Sequence, residues 1–308
     1  MSTSAANETV SDDELLTRIV ARVGGDPSSV QRLHGGEVNF TYRVHTETGD
    51  VVIRFPVDRL RGNEFPAEMW ASRTAAAARI PVARALRTGE MAGVPFIVSE
   101  YIAPAAHPID SPWITLGSLA KRIAPLDLSD APDGLFSRFG RHLSPAWTQH
   151  LQYNVQALHP DDDLAADGAY DLRLLDRIRS AFEALASHSF AFGLAHGDLA
   201  PRNLLSQGPG SAPVLLDWGG ATTGPAPWTD ARRVFEWAFL DRSIAEDDYA
   251  EFLTAAGLDR RTDESTLIAM TALHLLDVTR WAHEVRPDLY TEYVVRCRTG
   301  LNVLYRTD

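Results

Sequence analysis

The chain has 308 residues, 45% apolar and 23% charged, with a net charge of −12. This composition suits a globular protein with a large core. It contains no apolar run near the ~18 residues that span a bilayer, and its acidity argues against a nucleic-acid partner. One cysteine, Cys297, excludes an internal disulfide and argues against a cysteine-built zinc site. Residues 1–10 lack the basic-then-apolar plan of a secretory leader, so a cytoplasmic, membrane-free protein is expected.

Ser11-Asp12-Asp13-Glu14 reads as a capping box before an apolar-periodic run, Leu15 to Val23, closed by Gly24-Gly25. Three strands are expected at Val30–Leu33, Asn39–Val44 and Val51–Phe55. An alanine-rich helix over 63–79 ends before Pro81, and strands Val82–Thr88 and Val94–Ile102 follow. After Pro104 the pattern turns helical. Helices are predicted at Ile114–Ala124, Ser144–Leu158, Asp171–Ala186, Thr229–Leu240, Glu246–Ala256, Asp263–Glu284 and Pro287–Leu304. The only strand-like pieces there are Leu204-Leu205 and Val214–Leu216. The fold class is therefore α+β, a small β-rich lobe before a larger helical one, with a ligand cleft between them. The expected divisions are a tail and helix at 1–27, the small lobe at 28–103 and the helical lobe at 104–308.

The chemistry concentrates in His196-Gly197-Asp198-Leu199-Ala200-Pro201-Arg202-Asn203 and in Asp217-Trp218-Gly219. Phosphoryl transfer asks for such a set: one carboxylate to orient a hydroxyl and take its proton, and further oxygen donors to hold Mg²⁺ against a triphosphate. The order Asp198, Asn203, Asp217 on short turns beside apolar runs meets that need. Singly, each residue would be an ordinary turn former. Lys121 is the only lysine, so any phosphate-binding cation is Lys121 or an arginine.

With these motifs in this order, the chain resembles the aminoglycoside phosphotransferase family, small-molecule kinases of protein-kinase-like two-lobe fold, over about residues 28–300. The resemblance implies Asp198 as catalytic base and Asn203 and Asp217 as Mg²⁺ ligands. It gives Asp230 the task of holding the catalytic loop. It also implies ATP, with GTP as an option, bound by the loop Gly35-Gly36 with Asn39 and Thr41, by Arg54 in the phosphate-lysine position with Glu68 as its ion-pair partner, and by the backbone of Glu100 and Ile102 at the adenine. Ser99 is small and leaves the base unobstructed. Ala200 and Arg202 depart from the His and Gly that many members carry. No long activation loop follows Asp217, which argues against a protein substrate.

The implied substrate is a small molecule, an aminoglycoside or related antibiotic conferring resistance. The alternatives are a metabolic kinase for choline, a sugar or an amino alcohol, and a non-catalytic nucleotide-binding relative. A cationic acceptor would need carboxylates, and Glu236, Asp241, Glu246, Asp247, Asp248, Asp277 and Glu284 all follow the metal turn. Trp147, Trp237 and Trp281 can stack on a sugar or fill the core, and core is the ordinary role for at least two of them.

Overall fold

The computed structural model describes residues 10–33, 38–59 and 62–306. These form two compact units, residues 1–108 with 205–219, and residues 109–204 with 220–308.

In the first unit, α1 (Asp12–Val23) starts where the Ser11 hydroxyl accepts the Glu14 N–H at 3.3 Å, and stops where Gly24 takes the left-handed conformation at φ 71°. The sheet is antiparallel throughout, in the order β1-β2-β3-β5-β4. Its strands are β1 (Gln31–Arg32), β2 (Asn39–Thr46), β3 (Gly49–Pro56), β4 (Ala85–Met91) and β5 (Val94–Glu100), with α2 (Phe65–Ala77) inserted after β3. The β4–β5 turn is Ala92-Gly93, both at positive φ, as a two-residue hairpin with the native twist requires.

Side-chain alternation gives the sheet two covered faces. Val51, Ile53 and Phe55 of β3 point into a cluster with Leu15, Ile19 and Val20 of α1. Ile97 of β5 packs with Phe65 of α2 on the other face. Arg54 pairs across the ladder with Ile97, so it shares that second face and looks toward α2. Val82 leaves the expected strand because it forms a parallel bridge with Leu215, and Leu215 N–H donates to Pro81 at 2.9 Å. That bridge holds residues 205–219 in this unit.

The second unit is mainly helical: α3 (Pro112–Ile123), α4 (Leu143–Ala157), the single turn α5 (Asp163–Ala166) and α6 (Leu175–Ser187) precede the loop motifs. Strand β6 (Phe192–Ala195) then leads into them. The short pair β7 (Leu204–Leu205) and β8 (Val214–Leu215) marks the excursion into the first unit, and the chain returns through β9 (Thr222–Pro225). Helices α7 (Trp228–Phe239), α8 (Glu246–Ala256), α9 (Arg260–Val285) and α10 (Tyr290–Leu304) complete it.

Strands β6 and β9, not expected from the sequence pattern, pair antiparallel from Phe192↔Pro225 to Ala195↔Thr222. Both are four residues long and lack clear alternation, so only their mutual pairing defines them. Helix α9 starts three residues earlier than expected because Asp259 caps it, accepting from the Arg261 N–H at 2.7 Å. Among the described residues no helix is long and apolar enough to cross a membrane.

The helices pack closely. A Cβ on Gly117 of α3 would lie 2.3 Å from the Phe252 carbonyl of α8, so only glycine allows this approach. Inside the unit, Arg280 donates to both oxygens of Asp162 at 2.8 and 2.6 Å, and Tyr170 O–H adds a third bond at 2.7 Å. Burial opposes ionisation of Asp162, but Arg280 and Tyr170 together hold its carboxyl below the ordinary range. Removing one partner of such a pair leaves a buried charge uncompensated. Asp162→Asn is expected to lower stability by about 3–5 kcal/mol, read as an earlier midpoint in urea denaturation at neutral pH.

Candidate active site

The first unit holds a line of three charged side chains. The Arg54 guanidinium forms an ion pair with Glu68 of α2, and its Nη1 lies 3.2 Å from Asp217 Oδ1. Burial pulls the Arg54 guanidinium below its ordinary range and Asp217 pulls it back. Arginine keeps its charge in such a setting, where a lysine would release a proton more readily. Asp217 is a non-glycine residue at φ 58°, with its side chain 51% exposed. The following turn turns its carboxylate outward, and a Cβ on Gly219 would sit 3.4 Å from Asp217 Oδ1 and 3.6 Å from Glu68 Oε2. Backbone held in a sparsely populated region recurs at functional turns.

Thr41 stands directly across the ladder from Arg54, and Asn39 across from Pro56, so both flank this line on β2. Gly35 and Gly36 lie outside the described residues. Glu100 ends β5, with its side chain bonded to Arg84 at 2.8 Å and its N–H donating to the Arg84 carbonyl at 3.0 Å. Ile102 follows in irregular backbone, and among the described residues its N–H has no partner.

The second unit, taken by itself, holds the loop after β6. Asp230, at the start of α7 and only 1% exposed, accepts the N–H of His196 at 3.2 Å and of Gly197 at 2.7 Å. Burial pushes its carboxyl up to about 6, against the pull of those two N–H groups. Gly197 sits at φ 81°, and a Cβ there would fall 2.0 Å from the Gly220 carbonyl, so no other residue fits. Asp198 follows, with its side chain 26% exposed. Asn203 Nδ2 donates to both the carbonyl oxygen and Oδ2 of Asp198 at 2.8 Å. Its amide nitrogen is thereby fixed and its Oδ1 left for another ligand.

Asn203 Oδ1 and the Asp217 carboxylate are oxygen donors of the kind a hard divalent cation takes. Among the described residues no three His, Cys, Asp or Glu side chains gather as a metal site.

Two features were not read from the sequence. Arg202 does not point to empty solvent: its Nη2 donates to Asp198 Oδ1 at 2.6 Å and Oδ2 at 2.7 Å. The i,i+4 spacing of opposite charges was the available signal. Glu236, named as a carboxylate for a cationic ligand, is 0% exposed and ion-paired with Arg232 and Arg233, the latter at 2.8 Å. An enclosed carboxylate cannot meet a ligand, so that expectation is corrected. Trp237 is buried, Trp147 packs edge-on against Phe190, and Trp281 is exposed.

The phosphotransferase enzyme family matches residues 29–267, more than half of the chain. The chain belongs to this family. As a member it is a small-molecule kinase of α+β, protein-kinase-like fold. No curated protein matches it by sequence. Among solved structures it is similar to a thermostable mutant of aminoglycoside phosphotransferase APH(4)-Ia in a ternary complex with ADP and hygromycin B, at 17% identity and TM-score 0.61, covering 94% of this chain and 99% of that one. It is also similar to an APH(2″) enzyme in complex with GDP and kanamycin, at 17% identity and TM-score 0.60, covering 91% and 95%. A third is the macrolide 2′-phosphotransferase MphH from Brachybacterium faecium, at 17% identity and TM-score 0.60, covering 96% and 99%. At these identities the likeness is one of fold.

The enclosed Glu236 carries a pH signature for this phosphotransferase. Burial opposes its charge, yet Arg232 and then His274 and Arg233 draw its carboxyl from 4.5 down to about 2. A folded pKa below the unfolded one gives stability that is complete above about 4.5 and lost as pH falls toward 2. Glu236→Gln is expected to cost about 3–5 kcal/mol at pH 7 by leaving buried guanidinium charge unpaired. The loss should shrink as pH drops through 4, as measured by urea denaturation at both pH values.

Proposed function

We propose that this phosphotransferase moves the γ-phosphoryl group of ATP, with Mg²⁺, to a hydroxyl of a small molecule in the cytoplasm. Asp198 carries the reading: it is a part-exposed carboxylate oriented by Asn203 on a loop tied down through Asp230. In this role Asp198 orients the acceptor hydroxyl and takes its proton. The acceptor oxygen bonds to the γ-phosphorus as the bond to the β-phosphate oxygen breaks, and ADP leaves. Arg54, steadied by Glu68, pairs with phosphate oxygens, which suits a planar guanidinium. Gly35, Gly36, Asn39 and Thr41 cover the phosphates, and the Glu100 carbonyl and Ile102 N–H bond the base. Asn203 and Asp217 would hold Mg²⁺, which supplies charge neutralisation on the transferring phosphates. GTP fits the same contacts if the base edge is accommodated, and a neighbour of this fold is bound to GDP.

Neighbours bound to kanamycin and to hygromycin B support an antibiotic acceptor. The enclosure of Glu236 favours a second reading, a metabolic hydroxyl compound, because it removes one carboxylate from the service of a cation.

ADP release is the assay, with antibiotics, sugars and amino alcohols as acceptors. Asp198→Asn should lower kcat by ~10²–10⁴-fold, the range of general-base and positioning losses, and leave the KM for ATP nearly unchanged. Near-normal turnover would remove Asp198 as the base. Asp217→Ala should weaken Mg²⁺-dependent nucleotide binding more than Asn203→Ala, because a carboxylate brings full charge to a hard cation and an amide only a dipole.

A control separates Arg54 from the chain's single lysine. Arg54→Ala should raise the KM for ATP and lower kcat. Lys121→Ala, on the exposed side of α3, should change neither beyond about twofold. The opposite pattern would withdraw the assignment of Arg54 to phosphate.

A further inference from the structure

Although the chain carries −12 overall, the exposed charge beside Asp198 is positive. Arg202 binds both oxygens of Asp198 through one nitrogen, Nη2, and its side chain remains 62% exposed. Among the described residues its Nε and Nη1 have no hydrogen-bond partner. The Arg202 guanidinium carbon lies 5.5 Å from the centre of the Trp237 ring, and that of Arg233 lies 5.1 Å from the same centre. Two cations therefore flank one buried indole, a contact that aromatic rings favour.

The nearby carboxylates are not free to balance them toward a ligand. Glu236 is enclosed and meets Arg232 and Arg233, with Arg296 and His274 each 3.9 Å away. Asp230 is buried on the backbone of His196 and Gly197. Asp277, one turn beyond His274 on α9, is part-buried, 3.1 Å from His150 Nε2, and accepts a bond from Asn154 at 3.3 Å. These carboxylates are enclosed or already paired, whereas Arg202 is well exposed and Arg233, though bonded to Glu236, keeps 29% of its side chain exposed. A polycation arriving at Asp198 would meet like charge, whereas a carboxylate or phosphate matches the paired donors of a guanidinium edge.

We propose that Arg202 and Arg233 determine acceptor specificity and that the acceptor carries an anionic group, a carboxylate or a phosphate ester, near the hydroxyl that receives the phosphoryl group. This rests on the reading of Asp198 as the residue that meets the acceptor. Arg202 keeps Nη2 on Asp198 and offers its remaining donors to the acceptor anion, so one side chain sets both the carboxylate and the substrate.

The test is calorimetric binding to the full chain without nucleotide, using one polyol backbone in several charge states. Gluconate and glucose 6-phosphate supply the two anions, glucitol is the neutral form, and glucosamine and kanamycin are the cations. At least one anion should bind tenfold or more tightly than glucitol and than either cation. Whether gluconate or glucose 6-phosphate binds better identifies the anionic group. Arg202→Gln and Arg233→Gln should each bring that anion to within about twofold of glucitol, and Arg202→Lys should retain part of the preference. Thermal melts of the variants should match the parent for Arg202, an exposed residue. The proposal is overturned if glucosamine or kanamycin binds as well as the anions, if neither anion binds at millimolar concentration, or if Arg202→Gln leaves anion binding unchanged. No turnover enters these measurements, so their failure is distinct from failure of the kinase reading, which is decided by Asp198→Asn.

Discussion

One buried carboxylate supports the loop that carries Asp198. Asp230 accepts two successive backbone N–H groups, of His196 and Gly197, and so fixes the chain at the residue before Asp198. Two backbone donors on one acceptor set both position and direction of the loop, which a single bond would not. The cost is a carboxylate kept from water, and burial pushes it up to about 6. Unpaired, it would be a large penalty, and the two N–H groups are what make it tolerable. The close approach of Gly197 to the Gly220 carbonyl belongs to the same constraint. The loop lies against the segment that leads to α7, and α7 carries Asp230 back to it.

The first unit reaches its charged line by a different route. Period-two alternation along β3 sends Val51, Ile53 and Phe55 into the α1 face and leaves Arg54 on the α2 face. Glu68 is there because α2 packs on that face through Phe65. The Arg54–Glu68 pair is thus a product of strand phase and helix docking, and a one-residue slip in β3 would place Arg54 in an apolar cluster.

Much of this was legible in the sequence. Asp198, Asn203 and Asp217 stand out because three oxygen-bearing side chains sit on turns beside apolar runs. Ser11 and Gly24 mark the ends of α1 by their own local bonding. The strands β6 and β9 were not legible, because four-residue segments acquire their identity only by pairing with each other. The return of residues 205–219 to the first unit depends on a parallel bridge between Val82 and Leu215, far apart in the chain. The fate of Glu236 was hidden for a related reason. A glutamate on a helix reads as solvated, and only the arrival of Arg232, Arg233 and helix α9 around it turns it into an internal counter-ion.

Placing an arginine at position 54 has a bearing on chemical labelling. Electrophilic nucleotide analogues that acylate amines depend on a lysine beside the phosphates. In the proposed site that position falls to Arg54, whose guanidinium is always protonated and a poor nucleophile. The one lysine side chain, on α3, lies against Gly257 at the end of α8. The only side-chain amine that an amine-directed reagent meets is Lys121, far along the chain from β3. With Arg54 in the proposed phosphate-pairing role, profiling methods that rely on a lysine beside the nucleotide would pass over this chain.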